Sequence, residues 1–121
     1  MLQGIGIDIT ALQRFSNTGH REALLENMFD KEEIHAGHSK KEKIRYWAVL
    51  FAIKEAVMKA YKTGFHTGSH LHDIHINQDY EVEMRRCFKN SDKHKTRIIT
   101  SKSSSDKYAL GVALTCKQEV P

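Results

Sequence analysis

Two carboxylates and a lysine are placed where they could do chemistry. Through the segment Phe51-Ala52-Ile53-Lys54-Glu55-Ala56-Val57-Met58-Lys59-Ala60 and the residues before it, the positions Ile44, Ala48, Phe51, Glu55 and Met58 recur at steps of four, three, four and three, which is one face of a helix. Glu55 therefore interrupts an apolar stripe. A carboxylate there needs a cation, a metal or hydrogen-bond donors, because burying it unpaired costs several kcal/mol or forces it to take up a proton. Lys59, one turn on, sets an ammonium group beside it. The second carboxylate, Asp8, closes a short alternating run from Leu2, with Gly4 and Gly6 on its own side and Ile5 and Ile7 on the other. Two carboxylates with open positions suit a hard cation such as Mg²⁺, which takes one or two of them together with phosphate oxygens and water. The same residues also admit a structural role, in which Asp8 caps the next helical segment and Glu55 pairs with Lys59 or Lys54. Lys59 is in turn either a phosphate ligand or an aliphatic stem with a solvated tip.

Other polar groupings carry weaker signals. His66, His70, His72 and His75 lie close together, but their spacing fits neither a zinc helix nor a Cys/His pair, so they are expected to be solvated loop and edge residues. Ser103, Ser104 and Ser105 form a hydroxyl-rich turn without the glycines that frame a nucleophilic serine. Such a turn can hold phosphate or simply connect strands. Thr63, Gly64 and Gly68 could approach a phosphate, yet they lack the spacing of a P-loop.

The elements that must position these residues can be read from pattern. Short helical segments are expected over 11–15 and 20–28, and Asp30 with Glu33 has the form of a capping box opening another. Ser39 with Glu42 repeats that signal before a long helix from about Lys40 to Tyr61, closed by Lys62-Thr63-Gly64. From Leu71 the period becomes two, giving strands near 71–77, 80–88, 97–101 and 108–115, with turns at 90–92 and 103–106. Strand, helices, then an antiparallel meander is an α+β layout with the long helix packed on the sheet. At 121 residues the chain reads as a single domain over 1–121, with room for a real core but not for a separate lid.

Composition narrows the partners. The 40% apolar and 28% charged fractions, with a single proline, are those of an ordered globular protein. No apolar run reaches the roughly 20 residues of a membrane helix and no leader pattern opens the chain. A cytoplasmic protein is expected, with Cys87 and Cys116 as free thiols. A formal charge of +4 favours acidic partners: nucleic acid, a phosphorylated cofactor or an acidic protein. The basic clusters at Lys40, Lys41, Lys43, Arg45 and at Lys89, Lys93, Lys95, Arg97 lack the interleaved aromatics of a single-strand binder, which counts against nucleic acid.

Gly4-Ile5-Gly6-Ile7-Asp8-Ile9 followed by Arg14-Phe15, then Phe51-Ala52-Ile53-Lys54-Glu55-Ala56 and Lys59-Ala60, resembles the two signature motifs of the 4′-phosphopantetheinyl transferases, in particular the short holo-acyl-carrier-protein synthase type. Phe29 with Glu33 matches a landmark between them. The resemblance implies transfer of 4′-phosphopantetheine from coenzyme A to a serine of a small acidic carrier protein, with release of 3′,5′-ADP. It implies that Asp8 and Glu55 hold Mg²⁺ against the pyrophosphate, that Lys59 stabilises the leaving group, and that Glu55 is a candidate for receiving the serine proton. Lys59, Lys62, Gly64, Ser103 and Ser104 would bind coenzyme A, and Arg14 and Arg21 would face the carrier protein. A homotrimer with sites between neighbouring subunits is also implied.

The chain departs from the family pattern at several points. Ser101-Lys102-Ser103-Ser104 stands where a Ser-x-Ser-His element is usual, so Ser104 takes the histidine's place. Leu50 replaces an arginine, Lys62 a glycine, and the region Asp79-Tyr80-Glu81 a Gly-Lys-Pro turn. These changes describe a divergent member. Two alternatives stay open at this level: an impaired paralogue that binds a carrier protein without transfer, and a basic nucleic-acid-binding module.

Overall fold

Strand β1 (Leu2–Ala11) sets the geometry of everything packed on it. Gly4, Gly6 and Thr10 are buried on one face, while Ile5, Ile7 and Ile9 point the other way into solvent. In the computed structural model, which describes residues 1–16, 21–61, 71–85 and 96–117, β1 pairs antiparallel with β5 (Tyr108–Lys117) and β5 with β4 (Thr96–Ser104). The sheet order is β1-β5-β4, so the first strand lies against the last. Strands β2 (Ile74–Ile76) and β3 (Val82–Met84) form a separate two-stranded ladder. The expected meander is thus divided between two sheets.

The long helix α3 (Lys43–Tyr61) lies across the inner face of the larger sheet. Ala52, Ala56 and Ala60 form a smooth strip along it, and the strip meets glycines. A side chain at Gly4 would collide with the carbonyl of Ala60, and one at Gly6 with that of Ala56. Small residues on both surfaces bring helix and sheet backbones closer than larger ones would permit. The other side of α3 is covered by α1 (Arg21–Met28), α2 (Lys31–His38) and the 3₁₀ turn Leu71–Asp73, with Phe15, Phe29 and Phe51 in ring contact between the layers. From Tyr46 to Val57 every residue of α3 except Glu55 is buried. The apolar stripe through Ala48 and Phe51 is therefore one part of a helix enclosed on nearly all sides.

Several local expectations are corrected. Asp8 lies inside β1 instead of ending it, and the 3₁₀ turn Leu12–Phe15 that follows is preceded by Ala11, with no side-chain cap. The Asp30–Glu33 capping box forms as expected, each side chain accepting from the other's amide at 2.9 Å. Ser39 does not open α3. Its backbone is helical and its hydroxyl donates to Ala36 O at 2.7 Å, so it closes α2; an N-cap needs extended backbone. Residues 71–73 are a 3₁₀ turn, Ser103 and Ser104 belong to β4, and the turn falls at 105–107, where Ser105 Oγ accepts from the amides of Lys107 and Tyr108. The expected turn at 90–92 and Cys87 lie outside the described residues; Cys116 is a free thiol. Among the described residues no helix is long and apolar enough to cross a membrane.

One ion pair ties these elements together. Lys54 and Glu33 are fully buried, and Lys54 Nζ donates to Glu33 Oε1 at 2.7 Å, to Met28 O at 2.9 Å and to Leu71 O at 3.0 Å. Glu33 Oε2 accepts from the amide of Ile76 at 2.9 Å. All three ammonium protons are used, and α1, α2, α3, the 3₁₀ turn and β2 meet at one point. Burial pushes the Glu33 carboxyl up and the Lys54 ammonium down, and their mutual attraction opposes both shifts. Lys54→Met, which leaves Glu33 buried without its cation, is expected to cost about 3–5 kcal/mol in chemical denaturation, and Lys54→Met with Glu33→Gln to recover part of that loss.

Candidate active site

Asp8 faces α3 from the edge strand β1, and Lys59 reaches it from the last turn of the helix. Lys59 Nζ donates to Asp8 Oδ1 at 3.1 Å and to Ile7 O at 3.0 Å, and the Thr10 hydroxyl donates to Asp8 Oδ2 at 2.8 Å. Glu55 stands beside this group. Both lysines that could neutralise it are engaged elsewhere, Lys59 with Asp8 and Lys54 with Glu33. Among the described residues Glu55 has no ion-pair or hydrogen-bond partner within contact distance. Burial raises its pKa above the usual glutamate range, the charge on Asp8 adds to the rise, and Lys59 and Arg14 oppose it. The two structural roles read from the sequence are therefore not the ones seen: Asp8 caps no helix and pairs instead with Lys59, and Glu55 lies within ion-pair distance of neither lysine. A half-buried carboxylate without an ion-pair or hydrogen-bond partner among the described residues, next to a second carboxylate, leaves oxygen positions open and fits a hard divalent cation.

Arg14 is exposed in the turn after β1, its guanidinium 4.6 Å above the Phe51 ring and close enough to Glu55 to act on its charge. Arg21, the first residue of α1, lies over Trp47 at 5.8 Å, about two helical turns back from Glu55.

Ser103 and Ser104 occupy the opposite edge of the sheet. As strand neighbours they face opposite sides: Ser104 lies toward α3, where Arg45 Nη1 donates to its hydroxyl at 3.3 Å, and Ser103 lies toward the outer face. Together with Lys40, Lys41, Arg45 and Lys102 they line a groove of about 640 Å³. Tyr46 and Tyr80 line it too, their ring centroids 6.2 Å apart. Burial, with the nearby Tyr80, Glu33 and Asp30, pushes the Tyr46 phenol up to about 12, so it is a neutral group. Asp8 is opposite Gly111, and Gly111 opposite Lys102, so the carboxylates and the groove are about 10 Å apart in strand spacings, with α3 lying between them. The structure thus joins Asp8, Glu55 and Lys59 with Arg14, joins Ser104 with Arg45, and keeps the two groups apart. Lys62 and Gly64 lie outside the described residues.

Sequence reasoning missed the groove. Its signal was the basic run Lys40, Lys41, Lys43 and Arg45 directly before the buried part of α3, which composition alone could not connect to Lys102. The histidines also differ from expectation: His72 is exposed, but His75 is buried with Nδ1 against Asp30 Oδ2. Burial works to raise the Asp30 pKa, and the Glu33 amide and His75 outweigh it, holding that carboxyl below its usual range. Asp30, Glu33 and His75 come within ligand distance of one another, but Lys54 and Arg85 already supply the positive charge there. His66 and His70 lie outside the described residues.

Residues 4–113 match the family model described as the 4′-phosphopantetheinyl transferase superfamily. The chain belongs to that superfamily. A holo-acyl-carrier-protein synthase of Anoxybacillus flavithermus is 37% identical over 113 residues, covering 91% of this chain and 92% of the relative. A second, from Bacillus pumilus, is 33% identical over 120 residues, covering 94% and 95%. The crystal structure of the holo-acyl-carrier-protein synthase from Neisseria meningitidis superposes with a TM-score of 0.83 at 26% identity, covering 97% of this chain and all of that one. The mixed helix and antiparallel-sheet architecture is therefore that of the holo-acyl-carrier-protein synthase type, and the chain is an enzyme of that type.

The geometry of Glu55 has a consequence for stability. A carboxyl whose folded-state pKa is raised opposes folding once the pH exceeds its unfolded value and has no effect below it. Glu55→Gln is expected to raise the melting temperature at neutral pH in the absence of divalent metal, and the difference should vanish as the pH falls below the ordinary glutamate range. Mg²⁺ should raise the melting temperature of the parent protein and not of Glu55→Gln.

Proposed function

We propose that the protein transfers 4′-phosphopantetheine from coenzyme A to a serine of an apo acyl or peptidyl carrier protein in the cytoplasm, in a Mg²⁺-dependent reaction that releases 3′,5′-ADP. The observation that carries this reading is Glu55, a carboxylate without an ion-pair or hydrogen-bond partner among the described residues at the one position between Tyr46 and Val57 that is not buried, beside Asp8. Asp8 and Glu55 would hold the metal, which when bound supplies positive charge to the phosphate oxygens.

The chain's own residues account for the remaining roles. Lys59 holds Asp8 through one hydrogen bond, is itself anchored by a second to Ile7 O, and keeps one ammonium proton for a pyrophosphate oxygen, favouring departure of the leaving group. A raised pKa suits Glu55 to accept the serine proton as the new oxygen–phosphorus bond forms and the bond to 3′,5′-ADP breaks. Arg14, exposed and on the same side as Glu55, is positioned to attract an acidic carrier protein, with Arg21 extending the positive surface. The basic groove takes the nucleotide end of coenzyme A through Lys40, Lys41, Arg45, Lys102 and Ser104, with Lys62, Gly64 and Ser103 assigned to the same ligand from the family motif.

Carboxylates and groove lie at opposite edges of one sheet with α3 between them, which supports a site shared between two chains. The outer face of the sheet is suited to supply them. Ile5, Ile7, Ile9 and Ile99 are 51%, 54%, 66% and 42% exposed, and register places Leu114 between Ile5 and Ile99, with Val112 and Leu110 beside Ile7 and Ile9. A contiguous apolar face of this kind marks an interaction surface, and it supports a homotrimer in which neighbours contribute the two halves of each site.

Incubation of apo carrier proteins with the protein, coenzyme A and Mg²⁺ should add about 340 Da to the carrier, the mass of the phosphopantetheine arm, as read by intact mass spectrometry. Chelator, Asp8→Ala and Glu55→Gln should each abolish the gain with the fold retained. Absence of any gain across fatty-acid and polyketide-type carriers would refute transfer. On the outer face, Ile7→Glu should dissociate the assembly in sedimentation analysis and abolish transfer, although Asp8 and Glu55 are untouched; an active monomer would refute a shared site.

A further inference from the structure

Among the described residues Tyr80 alone, apart from glycine, has a positive φ, at 62°. The turn that contains it is otherwise well satisfied: Asn77 Oδ1 accepts from the amides of Asp79 and Glu81 at 2.9 and 3.0 Å, and the Tyr80 amide donates to Asn77 O at 2.9 Å. Glycine or asparagine would adopt this left-handed conformation more easily than an aromatic residue. A side chain retained against backbone strain points to a task for the side chain.

The ring of Tyr80 meets a cation. Lys102 Nζ stands 4.1 Å from its ring centroid, and the ring forms part of the wall between the basic groove and an adjoining one against Ile98 and Thr100 of β4. Tyr80 is only partly buried. Tyr46, whose hydroxyl is buried without a hydrogen-bond partner among the described residues, lies behind it. A partly open aromatic ring in a groove lined by four cationic side chains and a single carboxylate, Glu42, suits a ligand that is flat at one end and anionic at the other.

We propose that Tyr80 is the base-stacking residue of this groove, receiving the purine of a nucleotide whose phosphates lie among Lys40, Lys41, Arg45 and Lys102. The inference rests on the reading of the groove as the nucleotide site of coenzyme A, and adds the residue that recognises the base. The ring contributes π surface rather than its hydroxyl, so phenylalanine should replace it and leucine, of similar apolar character, should not.

Calorimetric titration of the full chain with 3′,5′-ADP, and in parallel with inorganic pyrophosphate, tests this. Tyr80→Phe should bind 3′,5′-ADP as the parent does. Tyr80→Leu should bind it about tenfold more weakly while its affinity for pyrophosphate stays unchanged, a selectivity that a purely structural role would not produce. Tyr80→Asn, which relieves the left-handed strain and keeps the chain folded if leucine does not, should lose 3′,5′-ADP affinity to the same degree. Equal 3′,5′-ADP binding by Tyr80→Leu and the parent, or a parallel loss for both ligands, would overturn the assignment. Failure of the parent itself to bind 3′,5′-ADP would instead overturn the nucleotide reading of the groove, and this proposal with it.

Discussion

The orientation of the carboxylates depends on an ion pair that takes no part in the chemistry. Lys54 and Glu55 are adjacent on α3 and therefore project about 100° apart around the helix axis. With Lys54 held by Glu33, Met28 and Leu71 inside the protein, the rotation of α3 about its axis is fixed. Glu55 must then emerge toward β1, where Asp8 stands. A buried pair of this sort contributes little net stability compared with an apolar replacement, because desolvation of both charges offsets their attraction. What it supplies here is orientation.

A second constraint acts on distance. The alanine strip of α3 and the glycines of β1 bring the helix so close to the sheet that Lys59 reaches the backbone of Ile7 as well as the side chain of Asp8. Asp8 is thereby held by a cation and a hydroxyl, while Glu55 is left without either. The two carboxylates thus have different environments although they are close together, one neutralised and one strained toward its protonated form.

Much of this was legible from the residues, and the limits have physical causes. The helix around Glu55, the Asp30–Glu33 box and the alternation of β1 are local patterns, and they form as expected because local geometry alone determines them. The similarity to the transferase motifs identified Asp8, Glu55 and Lys59 as a set. Three features were out of reach. Ser39 and Glu42 carry a capping signal, but Ser39 follows a helix that has not yet ended, so its hydroxyl serves the preceding turn. The pairing of β1 with β5 brings together residues from opposite ends of the chain, and no periodicity reports such a contact. His75 resembled a solvated edge histidine because its partner, Asp30 at the start of α2, is separated from it in sequence by the whole of α3.

The alternation along β1 also limits how this protein can change. The same ten residues present glycine and Asp8 to the helix and isoleucine to the outside, and strand side chains exchange faces whenever the register moves by one. A single inserted or deleted residue between Gly4 and Asp8 would turn isoleucines into the alanine strip and point part of the functional pair away from Glu55. The register irregularity between Leu2 and Gly4 lies before the first glycine, outside the stretch where it would cause this inversion. The spacing within β1 thus behaves as a reading frame that tolerates substitution but not a shift.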